Sequence, residues 1–125
     1  MKVTFVRLYA DTDGESHFED VVAPLASTNF APSIPPLNLS ELIQATQTGF
    51  LGAPAGWQGD FHPSSGRNLF FVISGEWEIE ASDGEIRRFG PGSILLVEDT
   101  TGKGHASRVI SEEDSIAGIV QLASC

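Results

Sequence analysis

Apolar and polar positions alternate along most of this chain, and the alternating runs are short. Over residues 2–9, Val3 and Phe5 fall on one face of a first strand. Asp13-Gly14 signals a turn, and residues 17–25 read as a second strand broken by Pro24. Pro32, Pro35 and Pro36 make an extended loop of 26–40. Ser40 offers a helix cap for 40–46, but Ile43 stands where a capping box needs Glu or Gln, so helix is the weaker reading there. Residues 46–53 form a strand candidate weakened by two glycines, and 54–57 turn towards an aromatic, Trp57. Asp60, His62 and Ser64 alternate with Phe61 in a short strand interrupted by Pro63. Leu69 to Ile73 is apolar on both faces, as a covered strand is, and Gly75 ends it.

The second half repeats this grammar. Acids alternate with Trp77 and Ile79 over 76–80, and Asp83-Gly84 suits a two-residue hairpin turn. Residues 86–89 return, Pro91-Gly92 turns a corner, and 93–97 form a second apolar strand. A tight loop at 100–104 precedes strands at 105–110 and 116–122, with a charged turn between them. Short strands at roughly ten-residue spacing predict an all-β sandwich or barrel, here one domain over 1–125 with no internal repeat.

Composition narrows the function. Acids outnumber bases 17 to 7, giving a formal charge of −10. That balance opposes a nucleic-acid partner, whose phosphates need clustered Lys and Arg. No run of apolar residues is long enough for a membrane helix, and the N-terminal stretch lacks the apolar core of a signal peptide. The one cysteine, Cys125, excludes an internal disulfide and, at the chain end, is a poor nucleophile. A cytoplasmic protein is the expectation.

The stretch 57–109 resembles the cupin superfamily, a double-stranded β-helix or jelly roll. Gly75 in VISGE closes the first cupin motif, and Phe89-Gly90-Pro91-Gly92 opens the second. In that family two histidines and a glutamate of the first motif, with a histidine of the second, hold a divalent metal. Laid on this chain, the first histidine is His62, while Ser64 and Asn68 occupy the places of the second histidine and the glutamate. The second motif carries Glu-Asp-Thr-Thr-Gly-Lys-Gly and then His105. Two of four ligands remain, so the expectation is no cofactor. The alternative is one divalent transition metal on His62 and His105, helped by Ser64, Asn68 or Glu98.

The resemblance implies a small-molecule ligand in the barrel, a homodimer formed through outer strands, and metal-independent proton transfer of isomerase, epimerase, dehydratase or lyase type. Metal-free sugar epimerases of the superfamily use a histidine base. Alternation places Asp60 on the face of His62, so Asp60 is the expected orienter of a His62 base. His105 is then the second acid/base group or hydrogen-bond donor. Arg67 is the candidate anion anchor, with surface pairing to Glu76, Glu78 or Glu98 as its competing fate. Asn68, Phe70 and Val72 are expected inside, with Trp57 over the pocket or stapling its loop, and Trp77 as packing. Leu69, Phe71 and Ile73 would face outward, covered by the N-terminal strands or a second subunit. Of the adjacent acids Glu98 and Asp99 at most one enters the cavity: Glu98 is the candidate if the set of Ile94 and Leu96 faces inward, a choice that alternation by itself leaves open. Lys103 in TTGKG is a weak candidate for substrate binding, because no Walker spacing surrounds it and Gly102 and Gly104 serve tight turning. His17, among acids, reads as structural or exposed. The alternatives to metal-free proton transfer are a metal-dependent cupin oxygenase or lyase, and a cupin that binds without catalysis.

Overall fold

The computed structural model describes residues 1–124; Cys125 lies outside them. Twelve strands run in order: β1 (Lys2–Ala10), β2 (Ser16–Pro24), β3 (Ala26–Thr28), β4 (Leu37–Leu39), β5 (Ala45–Ala53), β6 (Gln58–His62), β7 (Asn68–Ser74), β8 (Trp77–Ala81), β9 (Ile86–Phe89), β10 (Ile94–Glu98), β11 (His105–Val109) and β12 (Ser115–Leu122). A six-stranded sheet of order β2-β1-β10-β7-β12-β5 faces a four-stranded sheet of order β6-β11-β8-β9. No helix long and apolar enough to cross a membrane is present among the described residues. The architecture, strand-rich and without helix among the described residues, is an all-β jelly roll.

The expected strands are present, with two additions in the stretch read as loop. β3 and β4 pair there as a small antiparallel ribbon, Ala26 opposite Leu39 and Thr28 opposite Leu37. Residues 41–44 are irregular and β5 begins at Ala45. The hairpin after β8 also differs from the two-residue turn. Ala81 N–H donates to the Glu85 carbonyl, enclosing three residues, and only Gly84 takes positive φ, at 95°. A three-residue loop needs a left-handed residue only at its last position, and glycine fits it without a Cβ penalty.

Leu8, Phe18, Val72, Ile79, Ala81, Phe89, Leu95 and Val97 form the core between the sheets. Their registers follow from alternation: Leu8 lies opposite Val97, and Leu95 opposite Phe70. The odd positions of β10 therefore point inward, which turns Leu96 and Glu98 outward. On the outer face Gly118 lies between Phe50 and Phe71. Phe50, Phe71 and Ile73 stay exposed, because the N-terminal strands do not cover them. β1 and β2 instead extend the same sheet edge to edge beyond β10.

His17 ties the first hairpin to the second. Its Nε2 is 2.7 Å from Asp11 Oδ2 and its Nδ1 2.9 Å from Asp83 Oδ2, while its ring tilts against Tyr9. Hydrogen bonds that His17 donates to Asp11 and then Asp83 raise its pKa above the ordinary value, and the bond from His17 lowers that of Asp11. The stability His17 contributes is thus complete below its unfolded pKa of about 6.5 and is lost as pH rises through the higher folded value. The Asp11 contribution is complete above its unfolded pKa of about 3.9 and is lost as pH falls through its depressed folded value. The melting-temperature penalty of His17→Asn is therefore expected to be largest near pH 5–6 and to shrink towards pH 9. A penalty constant from pH 5 to 9, measured by thermal melts, would show that the clamp is not ionic.

Candidate active site

Two histidines stand across from each other at the mouth of the barrel. His62 ends β6, His105 begins β11, and the two are paired in register. Their ring centroids are 5.3 Å apart, at an interplanar angle of 44°. The loop between β10 and β11 presses against both. Ser64 N–H donates to the Asp99 carbonyl. A Cβ on Gly104 would overlap the carbonyl group of His62 and the nitrogen of Pro63. Gly104 has φ 73° and Gly102 φ 78°, where the Gly102 backbone meets Gly14 with no room for a Cβ. Both glycines of TTGKG are needed for left-handed backbone and for close approach together.

Each histidine has its Nδ1 occupied from behind. His105 Nδ1 lies 2.6 Å from Asp99 Oδ2, and Asp99 is fully buried. As a carboxylate Asp99 can only accept, so the ring proton sits on Nδ1. Its other oxygen, Oδ1, has no hydrogen-bond partner. His62 Nδ1 donates to the backbone carbonyl of Asp60 at 2.8 Å, and a carbonyl likewise cannot donate. With Nδ1 occupied in this way, a neutral ring at either position presents its Nε2 lone pair.

Behind them lies a cavity of about 320 Å³ between the two sheets. Its depth is apolar, with Phe70, Val72, Ile79, Phe89, Leu95 and Val97 among its walls. Ala117 and Ser107 contribute small side chains, leaving space where larger ones would fill the core. Trp57 and Trp77 meet edge to face at 5.7 Å on one side. Gly59 makes room for the Trp57 ring, since a Cβ there would come within 2.6 Å of it. The polar groups gather at the mouth: His62, His105, Ser64, Ser65 and Asn68.

Four of the residues singled out in the sequence are elsewhere. The Asp60 carboxylate does not orient His62; its Oδ1 accepts from Phe61 N–H, and the residue lines a separate outer hollow with Glu78 and Arg108. The cause is a β-bulge. Gly59 pairs with Ser107 and His62 with His105, so two residues of β6 oppose one of β11. An extra residue breaks the alternation and puts Asp60 and His62 on opposite faces. Glu98 faces outward, where Arg7 Nε and Arg67 Nε donate to its two oxygens at 2.6 and 2.5 Å. Burial pushes the Glu98 carboxyl up, but the hydrogen bonds and charges of the two arginines outweigh it and leave the pKa below the ordinary value. Arg67 also donates to the Ala123 carbonyl and is no anion anchor for the cavity. Lys103 pairs with Glu15 at 2.9 Å.

Asn68, Phe70 and Trp57 do line the cavity, as does Trp77, read from sequence as packing alone. Of the two adjacent acids it is Asp99, not Glu98, that turns inward and meets His105. Only the phase of β10 decides between it and Glu98, and two apolar strand faces conceal that phase.

The donors do not fit a cupin metal. Ser64 Oγ donates to the Gly66 carbonyl, as does Asn68 Nδ2. Glu98 points away, and no group of three or more His, Cys, Asp or Glu suited to a metal ion exists among the described residues. Two imidazoles alone supply no anionic ligand and too few donors.

No protein-family model matches the sequence, and no curated protein matches it. Among solved structures, the cupin domain of Schizosaccharomyces pombe Cnp3 superposes with a TM-score of 0.51 at 16% identity, covering 98% of this chain and 84% of that one. An RmlC-like cupin protein from Desulfovibrio desulfuricans gives a TM-score of 0.43 at 16% identity, over 63% of this chain and 80% of that one. Protein NMB1881 from Neisseria meningitidis gives 0.45 at 17% identity, over 61% and 72%. The fold is the cupin fold.

Breaking the Asp99–His105 pair from one side strands a buried polar group. His105→Ala is expected to cost about 3 kcal/mol or more in urea unfolding, because it leaves the carboxylate uncompensated. In a double-mutant cycle with Asp99→Ala, the two losses should couple by at least about 1 kcal/mol. Additive losses would mean that the bond contributes nothing to stability. Gly104→Ala should cost about 1–3 kcal/mol from the left-handed backbone alone, with the overlap at His62 adding to it.

Proposed function

We propose that this cupin-fold chain is a small-molecule enzyme that moves a proton within its barrel cavity without a metal, as an isomerase, epimerase, dehydratase or lyase does. One observation carries the reading: a histidine braced by a fully buried carboxylate faces a second histidine across the mouth of an apolar cavity. His105 Nε2 is the base. It takes a proton from an activated C–H of the bound molecule, and Asp99 on Nδ1 holds the ring orientation and stabilises the resulting imidazolium. His62 supplies the acid when charged, donating from Nε2 to the oxygen or carbon that receives the proton. The dry wall of Phe70, Val72 and Leu95 strengthens both interactions by excluding water.

The test uses 2-tetralone, a neutral ketone with acidic C–H bonds beside its carbonyl, in D2O. Proton NMR is expected to show faster exchange at the carbon beside the carbonyl with the protein than in buffer. His105→Asn should reduce that acceleration by about 100-fold or more, and a chelator should leave it unchanged. No acceleration, or acceleration that survives His105→Asn, would overturn the reading. Loss on chelation, with recovery on adding a transition metal, would replace it with metal chemistry.

A further inference from the structure

We infer that the cavity takes a neutral, flat, largely apolar molecule of one or two rings, carrying a single hydroxyl or carbonyl group that reaches His62 and His105. The inference rests on the reading of this cavity as the site and names the class of molecule that fills it. Its first support is size. Ligand pockets run from about 300 to 1,000 Å³, so a space of about 320 Å³ accepts only a compact molecule.

Charge is the second support. The chain has seven Lys and Arg in all, and none of them lines the cavity. Those nearest the mouth are committed to acids: Arg67 to Glu98, Lys103 to Glu15, and Arg108 to Glu78 on the outer face. A carboxylate or phosphate entering this space would lose its water and meet no cation. It would also approach the carboxylate of Asp99, buried behind His105. Taking an anion out of water without a partner is strongly unfavourable. A cation would meet no carboxylate in the cavity wall, because Asp99 already holds His105 and is not itself part of the lining.

The third support is the shape and chemistry of the walls. Trp57, Trp77, Phe70 and Phe89 present aromatic surface, and the aliphatic side chains of Val72, Ile79, Leu95 and Val97 fill in between. Aromatic walls favour flat ligands through offset and edge-to-face contacts. Most of the polar groups gather at the mouth, and two of them, Ser64 and Asn68, already donate to the Gly66 carbonyl. The two imidazoles, with the hydroxyls of Ser65 and Ser107 beside them, are left to meet the polar group of the ligand.

Calorimetric titration of the full chain with 2-naphthol, 2-naphthoate and 2-naphthylmethylammonium at pH 7 tests the inference, since the three share a ring system and differ in charge. The naphthol is expected to bind at least tenfold tighter than either ion. Both tryptophans of the chain line the cavity, so tryptophan fluorescence should follow the same saturation. Ala117→Leu, which fills the space, should weaken naphthol binding at least tenfold. Leu51→Trp at the half-exposed rim does the same from outside the core and serves if Ala117→Leu does not fold. Equal or tighter binding of either ion, naphthol affinity unmoved by both substitutions, or no saturation below about 1 mM would each overturn the inference. Naphthol binding without tetralone exchange would sink proton transfer and leave the ligand class standing. Exchange together with tighter naphthoate binding would do the reverse.

Discussion

A carboxylate buried without contact to water sits just past β10, and the mouth of the barrel is arranged around it. Asp99 needs a donor, and among the described residues only His105 Nδ1 reaches its carboxylate. That need holds the start of β11 against the end of β10. The loop between them must therefore be short and closely packed, which is why Gly102 and Gly104 lie against the backbones of Gly14 and His62. Ser16 Oγ donates to the Gly104 carbonyl, and Lys103 N–H to the Gly14 carbonyl, so the first hairpin braces the same loop. The His17 clamp and the Glu15–Lys103 pair fasten that hairpin from outside. The position of His62 opposite His105 follows from this packing rather than from any direct bond between the rings.

The cavity is the complement of that rigid mouth. A jelly roll of this size could fill its interior with side chains, and here the inward positions near the mouth are small or set back. Ala117 and Ser107 stand where larger residues would close the space, and the tryptophans wall one side. Polar chemistry at one end and apolar surface at the other give the interior walls that hold no Lys, Arg, Asp or Glu side chain. The arginines and Lys103 are used on the outside, where they neutralise acids of a strongly acidic chain.

Much of the fold is legible in the sequence, because strands and turns are local. The alternation over 76–80, the doubly apolar run 69–73 and the Pro91-Gly92 corner each mark an element that the structure contains. β3 and β4 were hidden because three-residue strands among prolines have no periodicity to read. The site was legible only in part. His62, His105, Asn68, Phe70 and Trp57 can be picked out by residue type and position. Asp60 and Glu98 look equally suitable and are turned away.

What the sequence by itself determined is the all-β class, the positions of the strands and the glycine turns, since these depend on neighbours within a few residues. Tertiary structure alone decided which carboxylate serves which histidine. A bulge exists only as a mismatch between two strands, so no reading of β6 alone can show that Asp60 and His62 part company. Likewise the inward phase of β10 is set by Leu8 of β1 and Phe70 of β7, far away in sequence, and it exchanges Glu98 for Asp99. A period of two specifies which residues share a face, and only the partner strands specify which face is the inside.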